Sequence, residues 1–165
     1  MKYWLCIITC ALGVHAQAMP LVSLAPSGNT LGLHQDFTVN VFVSGLTPGD
    51  PLVAFGFDVK IPPGLTLDGV AVATPFFNDS SYFGNTEVAG SSFPSLSGDN
   101  LLLASLSLST GSTPGYFDLS IFSTPGDLGL SEGLFTRSAI YDISAIVTIA
   151  VVGDASVPLP STMLL

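Results

Sequence analysis

The sequence predicts an all-β fold in which two antiparallel sheets pack face to face as a β-sandwich, with about eight or nine strands in total. Three observations lead to this fold class. Apolar and polar residues alternate with a period of two along most of the chain, Gly and Pro separate the alternating segments, and no window sustains the 3.6-residue period of a helix. With 165 residues, the chain has room for one domain of ordinary size.

Five segments carry the alternation most clearly and are the firmest predicted strands. In the first of them, Phe37, Val39 and Val41 alternate with Thr38 and Asn40, as a strand with one face against a core requires. The five segments are residues 37–43, 55–61, 104–108, 117–121 and 143–151. Shorter predicted strands are residues 21–25, residues 65–73 and a stretch at about residues 86–89.

Pro and Gly punctuate the chain between these segments, because Pro sets φ for a turn and Gly supplies positive φ. Examples are Pro62-Pro63-Gly64 and Thr47-Pro48-Gly49-Asp50. Two stretches follow the pattern less well. Residues 74–100, rich in Ser, Asn, Gly and Phe, are predicted to form a long surface excursion, and residues 131–135 suggest a short helical turn.

The first 18 residues have the features of a secretory signal peptide. Lys2 is the basic start, residues 5–14 form an apolar run shorter than the roughly 20 residues that span a bilayer, and Ala16-Gln17-Ala18 is a small-x-small cleavage site. Cleavage after Ala18 is the first choice and after Ala16 the second, while a lipoprotein signal ending at Cys10 is the rival interpretation. We therefore expect an exported, secreted or cell-surface domain at residues 19–153, without cysteine and without an integral membrane span.

The charge balance excludes several classes of partner. Twelve acidic residues face three basic ones, and the net charge is −9. Such a surface repels nucleic acids, anionic membranes and phosphate groups.

The residues needed for catalysis are scarce. Beyond the predicted signal peptide the chain has one histidine, His34, and no cysteine, so we predict no catalytic residues and no zinc site. A weak glycoside hydrolase built on two carboxylates remains a third hypothesis. Calcium is the metal ion that the carboxylate and amide oxygens of the predicted loops would suit, but no calcium-loop motif is present. We therefore interpret these acidic loop residues as solvated turns and assign no cofactor or metal. The oxygen donors considered for calcium are Asn78, Asp79, Asp99, Asn100 and Asp127.

Aromatic residues are the remaining functional signal. Phe76, Phe77, Tyr82 and Phe83, with Phe93 nearby, are concentrated in the irregular stretch. Exposed rings there could stack on the apolar face of a sugar, and we take the first four as the predicted ligand-binding residues. The alternative is that these rings pack beneath the loop as a satellite core. Tyr116 and Phe122, on the polar side of their strand, pose the same choice.

The order of these pieces resembles the cohesin-like β-sandwiches of secreted bacterial proteins, which are related in shape to carbohydrate-binding modules. The matching features are an early strand at residues 36–44, then an apolar strand, a proline turn and Leu at residues 54–65, and strands at residues 102–108, 115–123 and 140–152. A generic immunoglobulin-like or jelly-roll sandwich fits nearly as well. The resemblance by itself does not imply a dockerin partner, because a fold does not transfer function.

The residues after the domain, 154–165, form a Pro-rich tail. Its Val157-Pro158-Leu159-Pro160 resembles the opening of a PEP-CTERM sorting signal, a group exported by bacteria that produce exopolysaccharide. Leu159 stands where that motif more usually has Glu, and the expected membrane segment does not follow. A frayed terminus is the alternative.

Together these observations favour a non-catalytic secreted binding module that associates with carbohydrate or an exopolysaccharide matrix at the cell envelope. The alternative is a structural or adhesive envelope protein that acts by protein contact and has no sugar site. The predicted partners are accordingly a polysaccharide or an envelope or extracellular-matrix protein.

Overall fold

The computed structural model describes residues 19–82, 87–124 and 132–153, except for the side chains of Tyr82 and Glu87. The predicted signal peptide and the Pro-rich tail lie outside this part. Twelve strands and one 3₁₀ turn form within it, and nine of the strands have four or more residues. The strands are β1 (Leu21–Pro26), β2 (Thr30–Leu31), β3 (Asp36–Ser44), β4 (Leu52–Lys60), β5 (Leu65–Val72), β6 (Phe77–Asn78), β7 (Glu87–Leu96), β8 (Leu101–Thr110), β9 (Gly115–Phe122), β10 (Gly133–Thr136), β11 (Ile140–Tyr141) and β12 (Ser144–Val151), with the 3₁₀ turn at Ser80–Tyr82.

The smaller sheet has four antiparallel strands in the order β1-β3-β8-β5. Its central pair shows why the alternation predicts the fold. Val39 and Val41 of β3 are fully buried, and they are registered with Leu106 and Ala104 of β8, which are buried too. Side chains in register across a sheet point to the same face, so the intervening polar residues of both strands form the outer face.

The larger sheet has eight strands and is organised around β4. On one side β4 pairs with β7, and on the other side it pairs first with β10 and then with β9. The sheet continues from β9 through β12 to β2, with β11 beside β10 and β6 beside β7. All of these pairings are antiparallel except the short one between β12 and β2.

The two sheets enclose one apolar core. Phe55 and Phe57 of β4 lie at its centre, at 2% and 0% exposed, with ring centroids 5.9 Å apart. Burying each such side chain contributes about 1.5–3 kcal/mol. The proline turn before β5 closes tightly over this core, because Gly64 has φ +108° and a Cβ there would overlap the ring of Phe117. The chain therefore needs Gly at the end of that turn.

The structure confirms the all-β sandwich and corrects three details. Residues 74–100 are not one irregular excursion, since β6 and the ten-residue β7 lie within them. The alternation is hidden there by Gly90, where a Cβ would lie 2.8 Å from the ring of Phe55. Near residues 131–135 the chain forms strand β10, not a helical turn. The described residues contain twelve strands, because three two-residue strands add to the nine longer ones.

Among the residues that the structure describes, no helix has the length and apolar character needed to cross a membrane.

Candidate functional site

The four aromatic residues predicted to bind a ligand do not share one environment in the structure. Phe76 is 8% exposed and packs edge-on against Phe55, with centroids 5.1 Å apart, so it belongs to the core and its faces are covered. Phe77, the next residue, is 62% exposed. The backbone of Tyr82 ends the 3₁₀ turn, but its side chain lies outside the described part, as does the whole of Phe83.

Phe77 begins a row of residues that crosses five strands of the larger sheet. It is registered with Ser91 of β7, which is registered with Ala54 of β4; Ala54 faces Phe135 of β10, and Phe135 faces Ile140 of β11. We call these five residues the outer row. Strands lie about 4.8 Å apart, so the row is about 19 Å long.

The neighbouring row of the sheet shows which face the outer row occupies. It contains Phe55 and Leu134, which are 2% and 0% exposed and therefore point into the core. Because successive residues of a strand point to opposite faces, the outer row lies on the face away from the core. Its two ends are the most exposed, with Phe77 at 62% and Ile140 at 57%.

Phe93 adds a further ring near this row. It lies in β7 between Ser91, which is registered with Ala54, and Leu96, which is registered with Leu52. The register shifts between these two pairs, and Phe93 is 92% exposed. A bulge of this kind re-aims side chains, and here it leaves a Phe ring almost entirely in solvent.

The same outer face carries other apolar side chains nearer its far end. Phe122 of β9 is 38% exposed, Ile146 of β12 is 66% exposed and Tyr116 is 81% exposed. Between the two ends, the side chain of Glu132 lies over Gly56 and accepts a hydrogen bond from the backbone N–H of Thr124. Glu132 therefore covers the middle of the face and separates the outer row from the Phe122 end.

Asp50 anchors the hairpin of β10 and β11, which carries two of the five residues of the outer row. Its carboxylate, 9% exposed, accepts hydrogen bonds from Thr136 Oγ1 and the Ser138 N–H at 2.9 Å each and from the Tyr141 hydroxyl at 3.4 Å. Burial raises the pKa of this carboxyl, but the hydrogen bonds from Ser138, Thr136 and Tyr141 together outweigh it, so the pKa lies below its ordinary value. The ionised carboxylate thus fixes β10 and β11 against the turn that precedes β4.

The residues considered for catalysis and calcium do not form a common site where the structure describes them, and Asp127 lies outside the described residues. His34 is an exposed loop residue with φ +52°. Asp99 Oδ1 accepts a hydrogen bond from the Gly45 N–H at 3.0 Å, and Asn100 Oδ1 accepts one from Ser44 Oγ at 3.0 Å, so both serve as turn contacts. Asn78 Oδ1 likewise accepts from the Ser80 N–H. Within residues 19–82, 87–124 and 132–153, no three His, Cys, Asp or Glu side chains come together in a way that could hold a metal ion.

Solved structures identify the architecture. A cohesin module from the family 33 glycoside hydrolase of Clostridium perfringens ATCC13124 superposes with a TM-score of 0.60 at 9% identity, covering 82% of this chain and 98% of that module. The fold is cohesin-like. No protein-family model and no curated protein matches the sequence.

Two further cohesins show the same likeness. The non-cellulosomal cohesin of the archaeon Archaeoglobus fulgidus superposes with a TM-score of 0.55 at 15% identity, covering 82% of this chain and 92% of that one. The third ScaB cohesin of R. flavefaciens, solved in complex with a group 1 dockerin, gives a TM-score of 0.55 at 13% identity, with coverages of 83% and 97%. At these identities the likeness establishes the fold alone.

Sequence reasoning did not single out Phe135 and Ile140, two of the five residues of the outer row. Phe135 and Ile140 lie in the short strands β10 and β11, which give too few residues for a period-two pattern. Ala54 was visible as part of a strand, but its partners were not. Only the register between non-adjacent strands brings these residues into line with Phe77.

Proposed function

We propose that this chain is a non-catalytic binding module that engages a partner protein through the outer row and Phe93. The observation that carries the proposal is the outer row across five strands, in which four of the five side chains are apolar and both ends are exposed, with the solvated Phe93 ring in β7 as well. Aromatic and aliphatic side chains gathered on one exposed face are typical of the cores of protein interfaces.

The cohesin-like fold supports protein contact as the activity. The R. flavefaciens cohesin was solved in complex with a dockerin. The third cohesin of ScaC from Acetivibrio cellulolyticus was also solved in complex with a dockerin, that of ScaB. A dockerin or another envelope protein is accordingly the partner class to test first for this chain. The fold alone does not choose between them.

The rings favour a protein over a polysaccharide at this face. Sugar stacking needs ring faces that are free, and Phe76 has none because it packs against Phe55. Phe77 keeps a free ring, but the residues in register with it across the sheet are Ser91 and Ala54, which carry no ring. A mixed aromatic and aliphatic row matches the apolar core of a protein interface better.

Charge limits the kind of protein that fits. Asp58 and Asp118 share the outer face, and the chain carries a net charge of −9. An acidic contact surface on the partner would be repelled, whereas a neutral or basic one would be attracted and would associate faster at low salt.

The module is also proposed to act outside the cytoplasm, with residues 1–18 removed on export. The support is the apolar run and the Ala16-Gln17-Ala18 site in the sequence. The mass of the protein recovered from the culture medium or cell surface tests this. A mature chain that begins at Met19 is expected, and an exported chain that still begins at Met1 would contradict it.

The docking proposal is tested by a photo-crosslinker placed on the outer row. The amino acid p-benzoylphenylalanine replaces Phe77 in one variant and Ile146, also exposed but at the far end of the same face, in the control. Irradiation in the exported fraction of producing cells is expected to trap one protein from position 77 and not from position 146.

The trapped protein is then purified and titrated calorimetrically with the unmodified chain, with Phe77→Asp and with Ile146→Asp. Phe77→Asp is expected to weaken binding more than tenfold, since a charge replaces a ring at the interface core, while Ile146→Asp changes it less than threefold. Equal binding by the unmodified chain and Phe77→Asp would rule out the outer row as the docking site.

A further inference from the structure

A second candidate site lies on the opposite side of the molecule, on the outer face of the smaller sheet. A cleft of about 540 Å³ opens there across β3, β8 and β5. We call it the polar cleft, because the side chains around it are four hydroxyls and two carboxylates. They belong to Ser27, Asp36, Thr38, Asp68, Ser107 and Ser109.

The shape of the cleft follows from an irregularity in β5. Ser109 is registered with Asp36 on one side and Thr66 on the other, and the next outward residue of β8, Ser107, is registered with Thr38 and Gly69. The register of β5 shifts between Leu67 and Gly69, so Asp68 is an extra residue at the rim. A Cβ at Gly69 would meet no atom within 4 Å, so no side chain fills the space beside Ser107.

Of the polar side chains in the cleft, Ser27 Oγ accepts a hydrogen bond from the Thr38 N–H at 3.1 Å, but those along β8 are unpaired, unlike their neighbours in the same strand. Ser105 Oγ donates to Asn40 Oδ1 at 2.7 Å on one side, and Thr110 Oγ1 donates to the Gly32 carbonyl at 2.8 Å on the other. Between them, within the described part of the chain, Ser107 and Ser109 make no side-chain hydrogen bond, and neither cleft carboxylate accepts one. Unused hydrogen-bonding capacity is thus concentrated in the concave part of the sheet.

The chemistry of these groups excludes two ligand classes and favours ligands that donate hydrogen bonds. Asp36 and Asp68 are acceptors when ionised and need donors, while the serine and threonine hydroxyls both donate and accept. No Lys or Arg lines the cleft, and the exposed His34 is the nearest basic residue along the chain to Asp36. Anionic ligands are therefore repelled, and an apolar ligand would leave both carboxylates desolvated without a partner.

We infer that the polar cleft binds a neutral saccharide, whose adjacent hydroxyls donate to Asp36 and Asp68 and exchange hydrogen bonds with Ser107 and Ser109. The cleft volume lies in the range of small-molecule sites, about 300–1,000 Å³. Because the outer row is on the other sheet, the saccharide and a partner protein can be held at the same time. The cleft therefore does not depend on the docking proposal.

The test is an NMR titration of the full ¹⁵N-labelled chain with three neutral probes: cellohexaose, maltohexaose and mannohexaose. At least one is expected to shift the amide resonances of Asp36, Thr38, Ser107 and Ser109 in a saturable way. Calcium chloride alone and a uronic-acid oligosaccharide are run as separate arms, and neither is expected to produce those shifts.

Three variants locate the binding and one is a matched control. Asp36→Asn and Asp68→Asn remove an ionised acceptor, and Ser107→Gln fills the cleft with a longer neutral side chain; each is expected to weaken saccharide binding at least tenfold. Asp142→Asn changes the charge equally at an exposed position outside the cleft and should bind as the unmodified chain does. Melting curves confirm that all four variants fold.

The inference is overturned if none of the three hexasaccharides shifts these resonances at 10 mM, or if the shifts map to Phe77 and Ile140 instead. Saturable shifts of the cleft residues with calcium chloride alone would also overturn it, in favour of a cation site. Equal binding by Asp36→Asn, Asp68→Asn and Asp142→Asn would show that the cleft carboxylates are not used.

Discussion

The outer faces of the two sheets differ although the same alternation produces both. On the smaller sheet the outward positions of β8 are serines, and they meet Asn40, Thr38 and Asp36 of β3. On the larger sheet the outward positions include Phe77, Phe135 and Ile140. A core requires only that inward residues be apolar, so the outward residues are free to specialise. The outer face of the larger sheet carries apolar side chains of the kind found in protein interfaces. The outer face of the smaller sheet carries hydroxyls and carboxylates instead.

The largest expected effect on stability comes from truncating side chains in the core between the two sheets. Phe57→Ala in the larger sheet is expected to lower the free energy of unfolding by about 3–5 kcal/mol, and Leu106→Ala in the smaller sheet by about 2–5 kcal/mol. Both side chains are fully buried, so each truncation leaves a cavity. Urea unfolding measures the loss, and the exposed-site control Ile146→Ala should stay within about 0.5 kcal/mol. A loss below 1 kcal/mol at both core positions would contradict a single shared core.

An intermediate effect on stability is expected from two glycine substitutions, one in a strand of each sheet. Gly90→Ala in β7 places a Cβ 2.8 Å from the Phe55 ring and is expected to cost about 1–3 kcal/mol. Gly69→Ala in β5 points into open space and should be neutral or stabilise by up to about 1 kcal/mol, because it reduces the entropy of the unfolded chain. Urea midpoints compare the two variants directly. Equal midpoints would show that β7 does not pack on Phe55 in solution.

The smallest of these effects concerns the hairpin at the edge of the larger sheet. The folded pKa of Asp50 is lowered, so its contribution to stability is fully present above the unfolded pKa of about 3.8 and is lost as pH falls through the lower folded value. Asp50→Asn should therefore melt at a lower temperature than the unmodified chain at pH 7, and the gap should shrink toward pH 2. The control Asp142→Asn should show no gap at pH 7. A gap for Asp50→Asn that stays constant from pH 7 to pH 2 would contradict the ionised carboxylate as the anchor.

Much of the fold was predictable because it depends on neighbours along the chain. The burial of Phe37, Val39, Val41 and Val43 follows the alternation of β3 residue by residue. The strand β7 was only partly visible, since it begins near the predicted residues 86–89 but continues to Leu96 through Gly90 and Ser91. The pairing of β7 with β4 depends on Gly90, which leaves room for the Phe55 ring. The alternation of apolar and polar residues in β7 does not predict this requirement.

The candidate sites were less predictable than the fold. Phe76 and Phe77 are adjacent and chemically identical, yet Phe76 lies in the bend before β6 and packs on Phe55, whereas Phe77 begins β6 and stands in solvent. Sequence reasoning could name both rings but could not tell which of them faces outward.

Local chemistry alone specified an acidic β-sandwich with proline and glycine turns, because hydrophobic period and turn residues act over a few positions. The pairing of β4 with β7, β10 and β9, the alignment of Phe77 with Ile140 and the unfilled space beside Ser107 were decided only in three dimensions. They arise from register between strands far apart in the chain, and register depends on how two whole faces pack against each other.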